Sequence, residues 1–216
     1  QLNPDGTLLL SGGQPVETYD QDDIKQFARV FTGWTYANPD GSAITKKNAV
    51  YYGADMGVFP GTATTGHDTD AKTLLNGTTL SAGQTAQKDL ADAVHNVFVH
   101  PNTGPFVAKL LIQRLVTGNP SDAYVGRIAA KFANVGVPLV LKQIVLDAEA
   151  RGAAKADPAF GSLREPVLMI TGLVRALNGV TDGAALGDRT STLGQRPYYA
   201  PTVFNYFQPD ETIPGT

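Results

Sequence analysis

The sequence has no cysteine, one tryptophan, two methionines and three histidines in 216 residues. Without cysteine there is no disulfide, no thiolate nucleophile and no thiolate metal ligand, whatever the compartment. Concentrated positive charge is also missing. The 17 basic and 20 acidic residues leave a net charge of -3, and no candidate helix carries a Lys/Arg cluster. A nucleic-acid partner needs a basic face to neutralise its phosphates, so that class is excluded. No run approaches the ~20 apolar residues that span a bilayer. Nothing resembling a basic stretch followed by an apolar run stands at Gln1, so a signal peptide is expected to have been removed or to lie outside this sequence. The G-x-S-x-G, H-E-x-x-H, G-x-x-x-x-G-K-[ST] and post-strand G-x-G-x-x-G signatures are absent too.

What is present is an ordinary globular composition, 42% hydrophobic and 17% charged. The 23 glycines and 14 prolines concentrate in residues 1–19, 33–83 and 179–216, whereas 84–178 reads as successive helices. The expected fold is mainly α: an orthogonal or antiparallel bundle of about six helices with long irregular loops and a small N-terminal β-hairpin. It is expected as one helical domain over 1–216, a piece of a longer protein. Residues 1–19 form an extended arm, 20–178 the helical body with loop 35–83, and 179–216 an aromatic-rich end. Asn3-Pro4-Asp5-Gly6 and Asn38-Pro39-Asp40-Gly41 suit type I turns. Asp20 caps a first helix whose stripe is Ile24, Phe27, Ala28 and Phe31, ending at Gly33. Leu90, Val94, Val97 and Phe98 line one side of a second.

After the break at His100-Pro101, "FVAKLLIQRLV" is apolar nearly all round and is expected to be the buried central helix, ending at Gly118. A fourth runs from Ser121 to Gly136 with Tyr124, Val125, Ile128, Ala129 and Phe132 inward. A fifth opens at Pro138 with Leu141, Ile144, Val145 and Ala148. The sixth has the capping-box pattern Ser162-x-x-Glu165 with Pro166 near its fourth position, and a stripe of Val167, Ile170, Val174 and Leu177 up to Gly179. The segment from Tyr198 through Pro201 to Phe207 reads as a short helix or turn laid on the body.

Four groups of residues carry candidate chemistry. In "GHDTDAKTLL" (66–75), His67, Asp68 and Asp70 form either a polar turn or an acid/base or cation site. Adjacent side chains rarely aim at one ion, and only His95 and His100 remain as further imidazoles; His95 falls at a polar helix edge and His100 at a helix break. Arg164 and Glu165 form a helix-start pair or an anion site, and Arg114 is a cation in an apolar helix, with Asp68 or Glu165 as its expected partner. An inward Asp68 held by a guanidinium would anchor the long loop to the helices. Trp34, Tyr36, Tyr51, Tyr52, Tyr198, Tyr199 and Tyr206 lie on or beside irregular segments, where they serve either as contact surface for a protein or glycan or as lids over a core. Asp22, Asp23, Asp40, Asp55, Asp68 and Glu165 are available as paired carboxylates, whose spacing alone decides whether a glycosidase pair exists.

The blocks "DDIKQFARVFTGW" (22–34), "HDTDAKTLLNG" (67–77), "HPNTGPFVAKLLIQRLVTGNPS" (100–121), "FGSLREPVLMITGLVRAL" (160–177) and "LGQRPYYAPTVFNYFQP" (193–209) together resemble a bacterial family of domains of unknown function, DUF1800. The resemblance covers nearly the whole chain in order, and His67 and Asp68 match a family motif. It implies an exported protein, periplasmic or secreted, longer than this chain, of which this is the later half, with a sulfatase-like protein encoded nearby as a potential partner. No cofactor is implied. Two functions stand as expectations. The first is a non-catalytic envelope or extracellular module that binds a protein or glycan through Trp34, Tyr36, Tyr198, Tyr199 and Tyr206. The second is a hydrolase of an extracellular polymer or ester, with Asp68 or Glu165 as acid/base, His67 as its partner, and Arg114 or Arg164 holding an anion.

Overall fold

Asp20 starts the first helix, α1 (Gln21–Val30): its carboxylate accepts from the N–H groups of Asp22 and Asp23, and the Asp23 carboxylate accepts from the Asp20 N–H at 3.0 Å. This reciprocal cap satisfies orphan donors and places negative charge at the positive end of the helix dipole. The computed structural model describes residues 1–61, 66–132, 137–196, 199–200 and 208. Gly136, Tyr198, Pro201 and Tyr206 therefore lie outside the described residues, as does the proposed element across 201–207.

The long loop is not featureless. Besides the expected N-terminal hairpin of β1 (Leu10–Ser11) and β2 (Gln14–Pro15), it contains two more antiparallel pairs. These are β3 (Trp34–Thr35) with β4 (Gly57–Val58), Trp34 opposite Val58, and β5 (Lys72–Thr73) with β6 (Thr79–Leu80), Lys72 opposite Leu80. The Asn38 turn closes as expected, with the Gly41 N–H donating to the Asn38 carbonyl at 3.0 Å. The remaining helices are α2 (Ala86–Val99), α3 (Thr103–Leu115), α4 (Asp122–Phe132), α5 (Val137–Leu146), α6 (Ala148–Arg151), α7 (Pro166–Ala176) and α8 (Ala184–Thr192). The fold is mainly α with small two-stranded hairpins. Among the described residues no helix is long and apolar enough to cross a membrane.

The chain falls into two compact units. The first, Gln1–Asn3 with Leu8–Gly104, packs α1, α2 and the loop hairpins around Val30, Leu74, Leu80 and Ala93, with Phe27 against them. The second, Pro4–Thr7 with Pro105–Thr216, is built on α3, α4, α5 and α6 around Ala108, Ile112, Tyr124, Val125, Ile128, Val140 and Ile144. The expected inward face of α4 is the observed one. The Tyr124 hydroxyl, buried with it, donates to the Ile144 carbonyl at 2.5 Å, so the ring enters the core without an orphan polar atom.

Several sequence expectations are corrected. The stripe of α2 points outward: Val94 and Phe98 are 59% and 62% exposed, while Ala86, Asp89, Ala93 and Asn96 are buried. The loop backbone decides this orientation, because the Asn96 amide donates to the Leu75 carbonyl at 3.1 Å and the Thr78 hydroxyl at 3.0 Å. Small and hydrogen-bonding residues allow close approach where an apolar stripe would leave those groups unsatisfied. On α1 the same demand leaves Ile24 and Phe31 exposed and buries Val30. Only Pro105, Ala108 and Ile112 of α3 are buried, and Phe106, Leu110 and Leu115 are exposed, so α3 presents one stripe rather than a buried cylinder. In α5 the inward pair is Val140 and Ile144, with Leu141 and Val145 outward.

Helix α7 begins at Pro166, and Ser162 is no cap. A residue before proline is pushed to extended geometry, as Glu165 is at φ -53, ψ 141, so the helix cannot start earlier and Pro166 takes the first position, where no N–H is needed. Helix α8 falls in the glycine- and proline-rich stretch 179–216, where the sequence predicts no regular helix; the Asp182 carboxylate accepts from the Ala184 N–H at 3.0 Å at its start.

The turn at Pro4–Thr7 lies on α4 through glycine. A Cβ built on Gly126 would stand 2.8 Å from the Asp5 backbone. Gly126→Ala should therefore lower stability by about 1–3 kcal/mol through overpacking, despite the better helix propensity of alanine. Urea unfolding measures it, and a gain in stability would contradict this contact.

Candidate functional site

His67 and Asp68 follow Gly66 at a point where the chain passes Gly33 so closely that a Cβ there would lie 2.7 Å from the His67 nitrogen. Gly33 also has φ +80, so glycine alone suits that position. From there the two side chains diverge. Asp68 turns to α1: Arg29 donates from Nε to Oδ2 at 2.8 Å and from Nη2 to Oδ1 at 3.0 Å, a bidentate pair. Nη1 of the same guanidinium reaches the Ala71 carbonyl at 3.1 Å and Gln26 Oε1 at 2.7 Å. The Asp68 N–H donates to Thr32 Oγ1 at 2.8 Å, tying the loop to the end of α1 a second time.

His67 turns to α2. Its Nε2 lies 3.1 Å from Asp89 Oδ2 and its Nδ1 3.1 Å from the Thr32 carbonyl oxygen. Both ring nitrogens thus face oxygen atoms of the protein. Lys72 completes the cluster: its ammonium donates to Asp89 Oδ2 at 2.7 Å and to the carbonyls of Asp68 at 2.6 Å and Asp70 at 3.0 Å, which uses all three donors. The Asp89 side chain is 0% exposed and that of Lys72 1%. A buried carboxylate and ammonium persist only because each neutralises the other.

Asp68 is thus the inward, guanidinium-held carboxylate that the sequence suggested, but its partner is Arg29 of α1 and not Arg114. The Arg29 hydrogen bonds, outweighing partial burial, hold the Asp68 carboxyl at about 2, well below the usual 3.8. A group so held stays ionised and makes a poor general acid. His67 and Asp68 also aim at different helices, so the pair does not converge on one ion.

The other nominated charges meet in the second unit. A cavity of about 380 Å³ is lined by Arg114 from α3, by Arg164 and Glu165 just before α7, and by Leu168, Thr171, Gly172 and Arg175 along α7. Positions 165, 168, 172 and 175 recur at helical spacing, so one face of α7 forms a wall. Among the described residues of that lining the charged ones are Arg114, Arg164, Arg175 and Glu165. Among the described residues neither Arg164 nor Arg175 has a carboxylate within ion-pair distance. Gly172 sits mid-helix, where glycine costs about 1 kcal/mol relative to alanine, and a Cβ on it would meet nothing within 4 Å. Its lack of a side chain serves no packing contact and leaves the cavity open.

The remaining candidates are dispersed. Trp34 pairs in β3 with a buried Nε1 that has no partner among the described residues. Tyr36 and Tyr52 meet edge to face, centroids 5.7 Å apart, with Tyr52 86% exposed. Tyr51 lies on the same loop, half-buried. Tyr199 is exposed, with the Arg196 guanidinium 4.6 Å from its ring centre; Tyr198 and Tyr206 fall outside the described residues. Asp22 and Asp23 serve the α1 terminus, Asp40 accepts from the Ser42 N–H at 3.0 Å, and Asp55 is exposed. His95 is exposed, as expected, and buried His100 accepts from the Asn102 N–H at 3.2 Å through Nδ1.

Sequence reading did not find Arg29, Lys72, Asp89 or Arg175. Arg29 and Lys72 stood inside blocks already singled out. Asp89 follows the small-residue rhythm 86, 89, 93, 96, which marks the buried face once hydrophobicity is not the criterion.

Fold and sites together define a mainly helical protein of two compact units, one pinned by a buried charge cluster and one holding an arginine-lined cavity. The family model described as "Protein of unknown function (DUF1800)" matches residues 7–212, and the chain belongs to that family. No curated protein and no solved structure matches it.

The Asp68 ion pair has a pH signature. A carboxyl depressed to about 2 in the folded state contributes stability that is complete above the unfolded value near 4 and disappears as pH falls toward 2. Asp68→Asn should remove about 1–2 kcal/mol at pH 7 after allowance for partial exposure, and should flatten the stability profile between about pH 4 and 2. Urea midpoints across that range test it; parallel profiles for both proteins would contradict it.

Proposed function

We propose that this chain is a binding module of an exported protein, and that the cavity formed by Arg114, Arg164 and Arg175 receives an anionic group of its ligand. The observation that carries the reading is that Arg164 and Arg175, neither with a carboxylate within ion-pair distance among the described residues, line a space of about 380 Å³, within the ~300–1,000 Å³ range of small-molecule sites. Guanidiniums present planar forks of donors that match carboxylate, phosphate or sulfate oxygens. Gly172 adds to the argument, since its missing side chain keeps the wall open at a cost to the helix. In the other unit, exposed Tyr52 against half-buried Tyr36 supplies an aromatic surface of the kind that contacts glycans or proteins. For the hydrolytic alternative, Glu165 is the carboxylate in the cavity among the described residues, while Asp68 is committed to Arg29.

Calorimetric titration with inorganic phosphate, sulfate and acetate tests the reading. Saturable, salt-sensitive binding is expected, weakened about tenfold or more by Arg164→Gln with Arg175→Gln, at unchanged melting temperature. Gly172→Ala should raise stability by about 0.5–1 kcal/mol while weakening the same anions. Equal binding by wild type and the double variant would contradict the proposal. Ester turnover abolished by Glu165→Gln with affinity kept would replace it with the hydrolase.

A further inference from the structure

Helix α7 has a second cavity beside the first. It measures about 300 Å³ and lies between α7 and α8, walled by Val167, Ile170, Val174 and Leu186. On the helical wheel, 167, 170 and 174 occupy the sector next to 165, 168 and 172, and two residues, Thr171 and Arg175, line both cavities. The Thr171 hydroxyl is already committed, donating to the Val167 carbonyl at 2.8 Å. Among the described residues Arg175 is therefore the charged group at the boundary between a cationic space and an apolar one.

The apolar cavity repeats the feature seen across the helix. Gly187, mid-way along α8, lines it, and a Cβ there would meet nothing within 4 Å. Each cavity thus has one helical glycine whose missing side chain makes no packing contact and leaves the space open. Close packing fills apolar space between helices, so an open gap lined by Val, Ile and Leu forfeits contacts unless something enters it.

From the two cavities sharing Thr171 and Arg175 in their walls we infer that the ligand is a single-chain amphiphile of the long-chain carboxylate class. Its carboxylate lies among Arg114, Arg164 and Arg175, and its acyl chain passes Arg175 into the space between α7 and α8. This rests on the anion-binding reading and adds the apolar arm to it. The carboxylate provides the charge that the arginines complement, and each methylene taken from water into the second cavity adds affinity that a bare anion lacks.

Titration with dodecanoate below its micelle concentration, compared with acetate and with dodecanol, tests the inference. Dodecanoate is expected to bind at least about 100-fold more tightly than acetate and clearly more tightly than dodecanol. Gly187→Leu, which places a side chain in the apolar cavity and improves helix propensity, should bring dodecanoate to within about threefold of acetate while leaving acetate and phosphate binding unchanged. If acetate and phosphate bind but dodecanoate gains nothing, or if Gly187→Leu does not affect dodecanoate, the inference fails and anion binding stands. Dodecanol binding as tightly as dodecanoate would also overturn it. Failure of all three anions to bind would remove both readings.

Discussion

The structure of the first unit depends on one buried carboxylate. Asp89, with no solvent exposure, accepts from Lys72 and His67 on the same oxygen, and both of those residues come from the loop segment that sequence alone suggests is irregular. A charge in that position is tolerable only when its partners are held in place, so the loop cannot leave α2 without exposing an uncompensated anion. Lys72 has its two remaining donors on loop carbonyls, which spreads the constraint along residues 68–72. Arg29 then fastens the same stretch to α1 through Asp68. Two helices and a loop are joined by directional polar contacts around a small apolar core of Val30, Leu74, Leu80 and Ala93.

That arrangement explains which features the sequence disclosed. Helix positions followed from caps and breakers: Asp20 and the His100-Pro101 break act as local chemistry says they should, while α1 ends at Val30 with Phe31 as its cap, two residues before Gly33. The inward face of α4 was legible because that helix packs against other helices by hydrophobic burial. The faces of α1 and α2 were not, because they pack against loop backbone, whose unpaired N–H and C=O groups select Asp, Asn and Arg over Val and Phe. Hydrophobic periodicity is a guide to burial only where the opposing surface is itself apolar. The same reason hid Asp89, a carboxylate on what looked like the polar side of a helix.

The candidate site was half legible. Arg164 and Glu165 are legible as a helix-start pair and Arg114 as a cation whose expected partners include Glu165, and all three line one cavity. Arg175 and the two glycines are not, since nothing in a single sequence distinguishes a glycine that permits close packing from one that keeps space open. Gly126 and Gly172, both mid-helix, show the contrast: a methyl group on the first collides with Asp5, and on the second touches nothing. Membership in a family described only as of unknown function leaves chemistry to be argued from such local features.

The direct test of the buried-carboxylate account is a double-mutant cycle on Lys72 and Asp89, measured by urea unfolding with Lys72→Met, Asp89→Leu and the pair. Each single change should cost about 3–5 kcal/mol by leaving one buried charge uncompensated, and the double change far less than the sum. Additive losses, or single changes costing under about 1 kcal/mol, would show that the Lys72–Asp89 pair does not hold the loop to the helices.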